Sequence, residues 1–413
     1  MKFTKFIVKV EEDKDIILFN TLNSATIKVN IDLYEKIKCN NISNLTYEET
    51  EFLKEACFLV SDDFDESGIQ SIIKNVINNR INIVFITTDD CNFRCSYCYE
   101  SHIKKSIDKN TYDDTLKFLN RFEKDELLIN WFGGEPTLRM NEIHYFMQEV
   151  YKLKKFKKIT SSIVTNGYLL SEKNFNQLIN DHINNFQITL DGLKDEHNKH
   201  RFLEGGIGTF DTIIKNLKMM RSSSFDFSVC IRYNFNNDSK LIEFVDFIYD
   251  LIGNDNRFVI DFQNTGCWSS DGNELPTRSD ENKSIIKAIQ KAYSLGMRLR
   301  LFEESITPYG SFCVANLNNS FVINCDRNIL KCTVKLDWDK NIVGHLNEDG
   351  VITFNNNLDL WRNRILADKC INCNVLPLCL NKYCPHMDYS ICQKIKEREV
   401  QNVLRTKYCS VEK

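Results

Sequence analysis

The sequence has little surplus charge, no long apolar run and no export signal. Its 413 residues carry 53 Lys and Arg against 57 Asp and Glu, a net charge of −4 with the signs interspersed, so no basic footprint argues for a nucleic-acid partner. No apolar stretch approaches the ~18 residues of a membrane span. The opening residues MKFTKFIVKVEEDKD alternate like a strand and lack the apolar core of a signal peptide. These absences lead to the expectation of a cytoplasmic chain with no membrane association. What abounds is cysteine, sixteen in all. In an exported chain they would suggest disulfides, but clustered at short spacings without an export signal they read as metal ligands in a reducing compartment. The length, with 42% hydrophobic residues, suffices for two or three domains with real cores.

Three segments follow one another. Residues 1–78 begin with strand-like runs at 3–10, 16–20 and 25–29, with Asn23-Ser24 at a turn. Helical patterns at 33–37 and 46–57 follow, the second opened by Thr46 with Glu49 three residues on, as in a capping box. Residues 58–60 then read as a strand. Over residues 79–305, strand runs at 81–87, 127–132, 159–164, 186–190, 227–233 and 258–262 each precede a helical stretch, and a short run at 298–302 leads out. The helix at 141–155 carries Ile143, Phe146, Met147, Val150 and Tyr151 at helical spacing. Six successive βα units demand a parallel sheet and an α/β fold. Residues 306–413 turn to cysteines, loops and short strands. This tail is too poor in apolar residues to build a large core alone, so bound metal is expected to supply part of its folding energy.

Directly after the first strand run of the middle segment comes Cys91-Asn92-Phe93-Arg94-Cys95-Ser96-Tyr97-Cys98. This C-x3-C-x2-C spacing puts three thiolates on one loop, close enough to share an iron-sulfur cube. A [4Fe-4S] cluster has four irons, so three ligands leave one open to bind and reductively split a small molecule. A structural zinc site needs a fourth ligand from the same small module, and none lies nearby. With its aromatic Tyr97, the motif resembles the cluster loop of the radical S-adenosylmethionine (SAM) superfamily. The resemblance implies a partial (β/α)6 radical SAM barrel whose active groups lie at the C-terminal strand ends. It also implies a [4Fe-4S] cluster on Cys91, Cys95 and Cys98 whose open iron chelates SAM, and reductive cleavage of SAM to a 5′-deoxyadenosyl radical that abstracts a hydrogen atom.

Other strand ends carry further candidates. Gly133 and Gly134, before Glu135-Pro136, let backbone approach a ligand closely, and the resemblance gives Glu135 the SAM amine. Thr165-Asn166-Gly167 and Thr189-Leu190-Asp191-Gly192 resemble positions lining the SAM pocket, although Asn-Gly and Asp-Gly are also ordinary turn dipeptides. Arg232 lies among apolar neighbours where a charge needs a partner. That partner is the SAM carboxylate by resemblance, or a structural carboxylate; Asn234 beside it would touch the methionyl or ribose part. His197 and Arg201 read as loop-fixing residues, and Thr209 as the cap of the next helix.

In the tail, Cys313 and Cys332 flank a strand-like hairpin. Cys370-x2-Cys373-x5-Cys379-x4-Cys384 follows, then Cys392 and Cys409. Seven or eight thiols are too many for one metal, and the pattern resembles the SPASM extension of radical SAM enzymes, which holds two auxiliary [4Fe-4S] clusters. The resemblance implies Cys370, Cys373, Cys379 and Cys392 on one cluster. Cys313, Cys332 and Cys384 would hold the other, with Cys325 as its fourth ligand or with that iron left open. Cys409 competes with Cys392 for its place. Arg327 stands where the family has a glycine, so the turn is expected to put Asn328 in a left-handed conformation. Cys39, Cys57, Cys230 and Cys267 are expected to be buried small hydrophobes.

The whole fits a radical SAM/SPASM peptide maturase that cleaves SAM, holds three [4Fe-4S] clusters and modifies a ribosomally made precursor peptide. A thioether crosslink is the expected product, with a carbon-carbon link left open. Residues 1–78 resemble a winged-helix-like recognition element that binds a leader peptide at a sheet edge. Partners implied are that precursor with its leader and an electron donor such as flavodoxin or ferredoxin. The alternatives are an anaerobic sulfatase-maturating enzyme, which makes formylglycine, and a non-catalytic iron-sulfur electron carrier or redox sensor. The open-site triplet joined to Gly-Gly-Glu-Pro speaks against the last.

Overall fold

The computed structural model describes residues 1–12, 15–64, 80–235, 240–264, 283–308, 313–362, 370, 372–379, 385 and 392–408. The chain forms two compact units, one of Met1–Val76, Arg300–Asn316 and Arg364–Lys413, the other of Ile77–Leu299 and Leu317–Asn363. No described helix is long and apolar enough to cross a membrane.

In the first unit, β1 (Lys2–Phe3), β2 (Ile7–Glu12), β3 (Asp15–Asn20), β4 (Thr26–Val29) and β5 (Leu59–Val60) make two small antiparallel sheets, β2-β3-β4 and β1-β5. Successive side chains of a strand point to opposite faces, and β3 is apolar on both. Ile16 and Leu18 join Leu33, Ile37 and Leu53 of the helices Ile31–Lys38 and Tyr47–Glu55. Ile17 and Phe19 join Phe6, Val8 and Val10 against Val375, Leu376, Leu378, Val400 and Leu404. The Thr46 capping box forms as expected: Thr46 N donates to Glu49 at 2.8 Å and Glu49 N to the Thr46 hydroxyl at 3.1 Å. Two side-chain amides close the outer edge of β2, Asn374 donating to Ile7 O at 3.0 Å and Gln401 to Lys9 O at 2.9 Å. The outer edge of β4 pairs with no strand among the described residues.

The second unit is built on β6 (Arg80–Ile86), β7 (Glu126–Phe132), β8 (Lys158–Thr165), β9 (Ile183–Thr189), β10 (Ser228–Phe235), β11 (Phe258–Asn264) and β12 (Arg298–Leu299), all parallel and in sequential order. The expected 298–302 strand stops at Leu299. From Arg300 the chain turns helical, and an i,i+4 pair between Arg300 and Glu304 at 2.6 Å braces that helix. Beyond β6 the sheet continues with β13 (Ser320–Ile323), parallel to β6, and then an antiparallel run of β14 (Asn328–Leu330), β15 (Ile342–Leu346) and β16 (Ile352–Phe354). The hairpin between Cys313 and Cys332 is therefore an extension of the parallel sheet. In its turn Arg327, not Asn328, takes the left-handed conformation, with φ of 62°. Its side chain makes up for the missing glycine by donating to Leu346 O at 3.0 Å and pairing with the buried Asp114.

Parallel order follows from amphipathic helices folding back on each strand. Phe85 of β6 and Trp131 of β7 stack at 5.1 Å between centroids, and both meet Tyr112 and Phe146 from the helices Lys109–Asn120 and Met140–Lys152. Asn130 alternates with Ile129 and Trp131 and so faces the other side of the sheet. There a polar ladder crosses four neighbouring strands. Asn82 donates to the Ser320 hydroxyl at 2.8 Å, Asn130 to Asn82 at 2.8 Å, and Ser162 to Asn130. Nothing in the sequence periodicity marked these residues.

Candidate active site

The cysteine loop leaves the C-terminal end of β6, and backbone holds it on two sides. On one side, Gly134 N donates to Thr88 O at 2.8 Å and Glu135 N to Asp90 O at 2.9 Å. A Cβ on Gly134 would stand 2.2 Å from Asp90 O, and one on Gly133, whose φ is +119°, would stand 2.5 Å from Thr88 O. The glycine pair is thus required by the approach of backbone to backbone. On the other side, Arg94 N donates to Phe202 O at 2.8 Å and Ser96 N to His200 O at 3.0 Å, with a bridge between Phe93 and Leu203.

Within the loop Cys91 is buried, Cys95 half-buried and Cys98 exposed. Cys98 N closes a turn on Cys95 O at 3.1 Å, and Phe93 N and Asn166 Nδ2 approach the Cys91 sulfur at 3.3 and 3.9 Å. Burial pushes the Cys91 thiol up to about 12. Among the described residues no three His, Cys, Asp or Glu side chains gather closely enough to hold a single metal ion. A structural zinc takes four protein ligands, whereas three soft thiol donors on one loop fit three irons of a [4Fe-4S] cube and leave the fourth open.

The other strand-end candidates converge on the loop. Glu135 is fully buried, and its carboxylate accepts from Thr137 N at 3.0 Å, the Thr137 hydroxyl at 2.5 Å, the Thr165 hydroxyl at 2.7 Å and Asn166 N at 2.7 Å. Burial raises its pKa while these four donors pull back against the rise. Glu135 thereby clamps the end of β7 to the end of β8. Asn166 reaches on to Asn92 Oδ1 at 2.8 Å.

Tyr97 anchors a second network. Its hydroxyl donates to Asp191 and accepts from Arg201 at 2.7 Å and Asn234 Nδ2 at 3.3 Å. Asp191 accepts from Asn234 N at 3.1 Å and lies 3.8 Å from Arg201. Asp191 N donates to His197 Nδ1 at 3.2 Å, which fixes the proton on Nε2, 3.0 Å from the Thr209 hydroxyl; that hydroxyl donates to Arg201 O at 2.8 Å. Thr209 therefore does not cap the following helix, Phe210–Ser222. Asn198 does, accepting from Thr209 N at 2.9 Å and Phe210 N at 3.1 Å. Arg232 donates to Asn234 at 3.1 Å and lies 3.9 Å from Asp261, the structural partner weighed for it.

Burial, and after it the charge of Arg201, pushes His197 down to about 2, so the folded protein holds this imidazole neutral. Below its ordinary pKa of about 6.5 an unfolded chain binds a proton that the folded site refuses, so stability falls as pH falls. Between pH 8 and pH 5 this group is expected to remove about 2 kcal/mol of unfolding free energy. Urea denaturation of His197→Gln, which can keep both hydrogen bonds, should lose that part of the pH slope; an unchanged slope would contradict the neutral buried state.

The tail thiols fall in two places. In the first unit, Cys370 and Cys373 are buried and, with Cys379, border the apolar cluster on β2 and β3. Cys313 is half-buried in that unit. In the second unit, Cys325 donates toward Ile86 O at 3.5 Å beside the end of β6, its thiol pushed up to about 12 by burial. Cys332 accepts from Val334 N at 3.4 Å. Cys267, Cys384 and Cys409 and the side chain of Cys392 lie outside the described residues. Of the singletons, Cys39 and Cys57 are exposed and Cys230 is half-buried. Cys39 caps a helix C-terminus and Cys57 takes a left-handed turn with φ of 56°, places that face solvent instead of a core.

Residues 85–248 match the model of the Radical SAM superfamily. The radical SAM cyclopropyl synthase TigE of Paramaledivibacter caminithermalis is 25% identical over 255 residues, 52% of this chain and 53% of TigE, so the chain spans about half the length of that relative. A cysteine-type anaerobic sulfatase-maturating enzyme of Clostridium novyi is 25% identical over 71% of this chain and 84% of its own. Among solved structures, Streptococcus suis SuiB bound to precursor peptide SuiA superposes with a TM-score of 0.52 at 17% identity, covering 95% of this chain and 100% of SuiB.

Proposed function

The chain carries a radical SAM domain, and on that premise we propose that it is an enzyme that modifies a ribosomally made precursor peptide, joining a cysteine sulfur to carbon. The observation that carries the reading is the cysteine loop, fixed from both sides at the C-terminal end of β6, where parallel α/β folds place their ligands. When bound, a [4Fe-4S] cluster and SAM would supply a 5′-deoxyadenosyl radical, and two auxiliary clusters on the tail thiols an acceptor for the second electron that a thioether leaves behind. The protein's own part is positional. Gly133 and Gly134 set the loop's distance from β7, Tyr97 ties it to β9 and β10 through Asp191 and Asn234, and the Asn82-Asn130-Ser162 ladder ties β6, β7 and β8 together through polar side chains.

Support for a peptide substrate comes from the first unit and from the relatives. The β2-β3-β4 sheet with its two helices suits leader capture by strand addition. Since side-chain amides close β2, the addition falls to β4. SuiB binds a precursor peptide, and a matching fold spans 95% of this chain. The sulfatase-maturating relative, aligned over 71% of the chain, supports formylglycine formation as a second reading.

Mass spectrometry separates the two. Reconstituted protein, SAM and reductant are to be incubated with a cysteine-containing peptide encoded beside the gene. Loss of two hydrogens with sulfur retained is the expected result, replacement of sulfur by a carbonyl oxygen favours the second reading, and an unaltered peptide sinks both.

A further inference from the structure

Arg201 is a buried cation beside the cysteine loop, and the role of loop fixation does not account for its surroundings. It is only 7% exposed. One terminal nitrogen donates to the Tyr97 hydroxyl at 2.7 Å, its Asp191 partner stands back at 3.8 Å, and the guanidinium lies 5.7 Å from the centre of the Phe93 ring. Its Nε is buried and has no hydrogen-bond partner among the described residues. A buried guanidinium N–H without an acceptor is costly, and the cysteine loop is pinned to the two neighbours of Arg201, Ser96 N on His200 O and Arg94 N on Phe202 O.

The reduction potential of an iron-sulfur cluster rises with nearby positive charge and with hydrogen bonds to its sulfurs, most strongly where water is excluded. We propose that Arg201 is a positioning residue for the redox step: anchored on Tyr97 and Asp191, it holds a fixed positive charge beside a cluster on Cys91, Cys95 and Cys98, and its Nε–H is the donor left for a sulfur of that site. The inference rests on the reading that these cysteines hold a cluster. Arg201 makes the cluster's uptake of one electron from an external reductant easier and touches neither the peptide nor SAM.

The test is a redox titration followed by electron paramagnetic resonance on the reconstituted full chain, with a separate measurement of iron content. Arg201→Gln should move the midpoint to more negative potential, Arg201→Lys should stay near the parent value, and Asp191→Asn, which removes the facing anion, should move it the other way. An Arg201→Gln protein that keeps its iron with an unchanged midpoint overturns the proposal. If that variant loses its iron, the Asp191→Asn shift decides, and no shift there overturns it equally. A parent protein that forms no reducible cluster would instead overturn the cluster reading itself.

Discussion

Reductive cleavage of SAM should vanish when Cys91, Cys95 and Cys98 are replaced together by Ala. The expectation follows from the composition of the site. Among the described residues no group of three His, Cys, Asp or Glu side chains is gathered to take over as ligands, and Asn92, Asn166 and the glycine pair surround the loop with backbone and amides instead of thiols. Each cysteine would carry one iron, so a single replacement should already lower the iron bound after anaerobic reconstitution. Because the loop is held by backbone hydrogen bonds on both sides, the variants should keep the parent's circular dichroism and thermal unfolding in the metal-free state. Iron analysis and chromatography for 5′-deoxyadenosine check both halves. Formation of 5′-deoxyadenosine by the triple variant would end the assignment of this loop.

The second large effect concerns Glu135 and falls on stability. Glu135→Ala leaves four buried donors without their acceptor, the amide and hydroxyl of Thr137, the hydroxyl of Thr165 and the amide of Asn166. With each orphaned donor costing about 1–3 kcal/mol, the loss should reach roughly 3 kcal/mol or more. That is a large part of the ~5–15 kcal/mol that keeps a typical domain folded. Glu135→Gln keeps one oxygen acceptor but turns an amide NH2 toward Asn166 N–H or the Thr165 hydroxyl, for a smaller loss of about 1–3 kcal/mol. Urea denaturation of the two variants measures this ordering. A Glu135→Ala protein as stable as its parent would show that the carboxylate does not clamp the strand ends, and would return it to the SAM amine.

How far the sequence was legible depended on what each residue answers to. The six strand runs, the helix carrying Ile143, Phe146, Met147 and Val150, and the Thr46 capping box were readable because burial periodicity and cap chemistry are local. The cysteine loop was readable because its spacing sits on one short segment. What lay hidden was non-local. β13 reads as a short tail strand, and only the sheet shows it pairing with β6. Asn198 as a helix cap and Thr209 as an acceptor for His197 depend on a loop that folds back on itself. The four-donor clamp on Glu135 could not be read from Gly-Gly-Glu-Pro, since two of its donors come from the next strand.

The pairing of β13 with β6 also imposes an order in time. Asn82 and Ser320, hydrogen-bonded across that junction, are 238 residues apart. A ribosome therefore releases β6, the cysteine loop and the strands out to β12 well before the segment that covers the far side of β6. Until then β6, apolar on both faces apart from Asn82, is an open edge able to recruit other chains. Long-range parallel pairing of this kind is also slow to form. Chains cut short before residue 320 should for that reason aggregate, and the strand that leads into the cysteine loop gains its second neighbour only after the rest of the parallel sheet has been made.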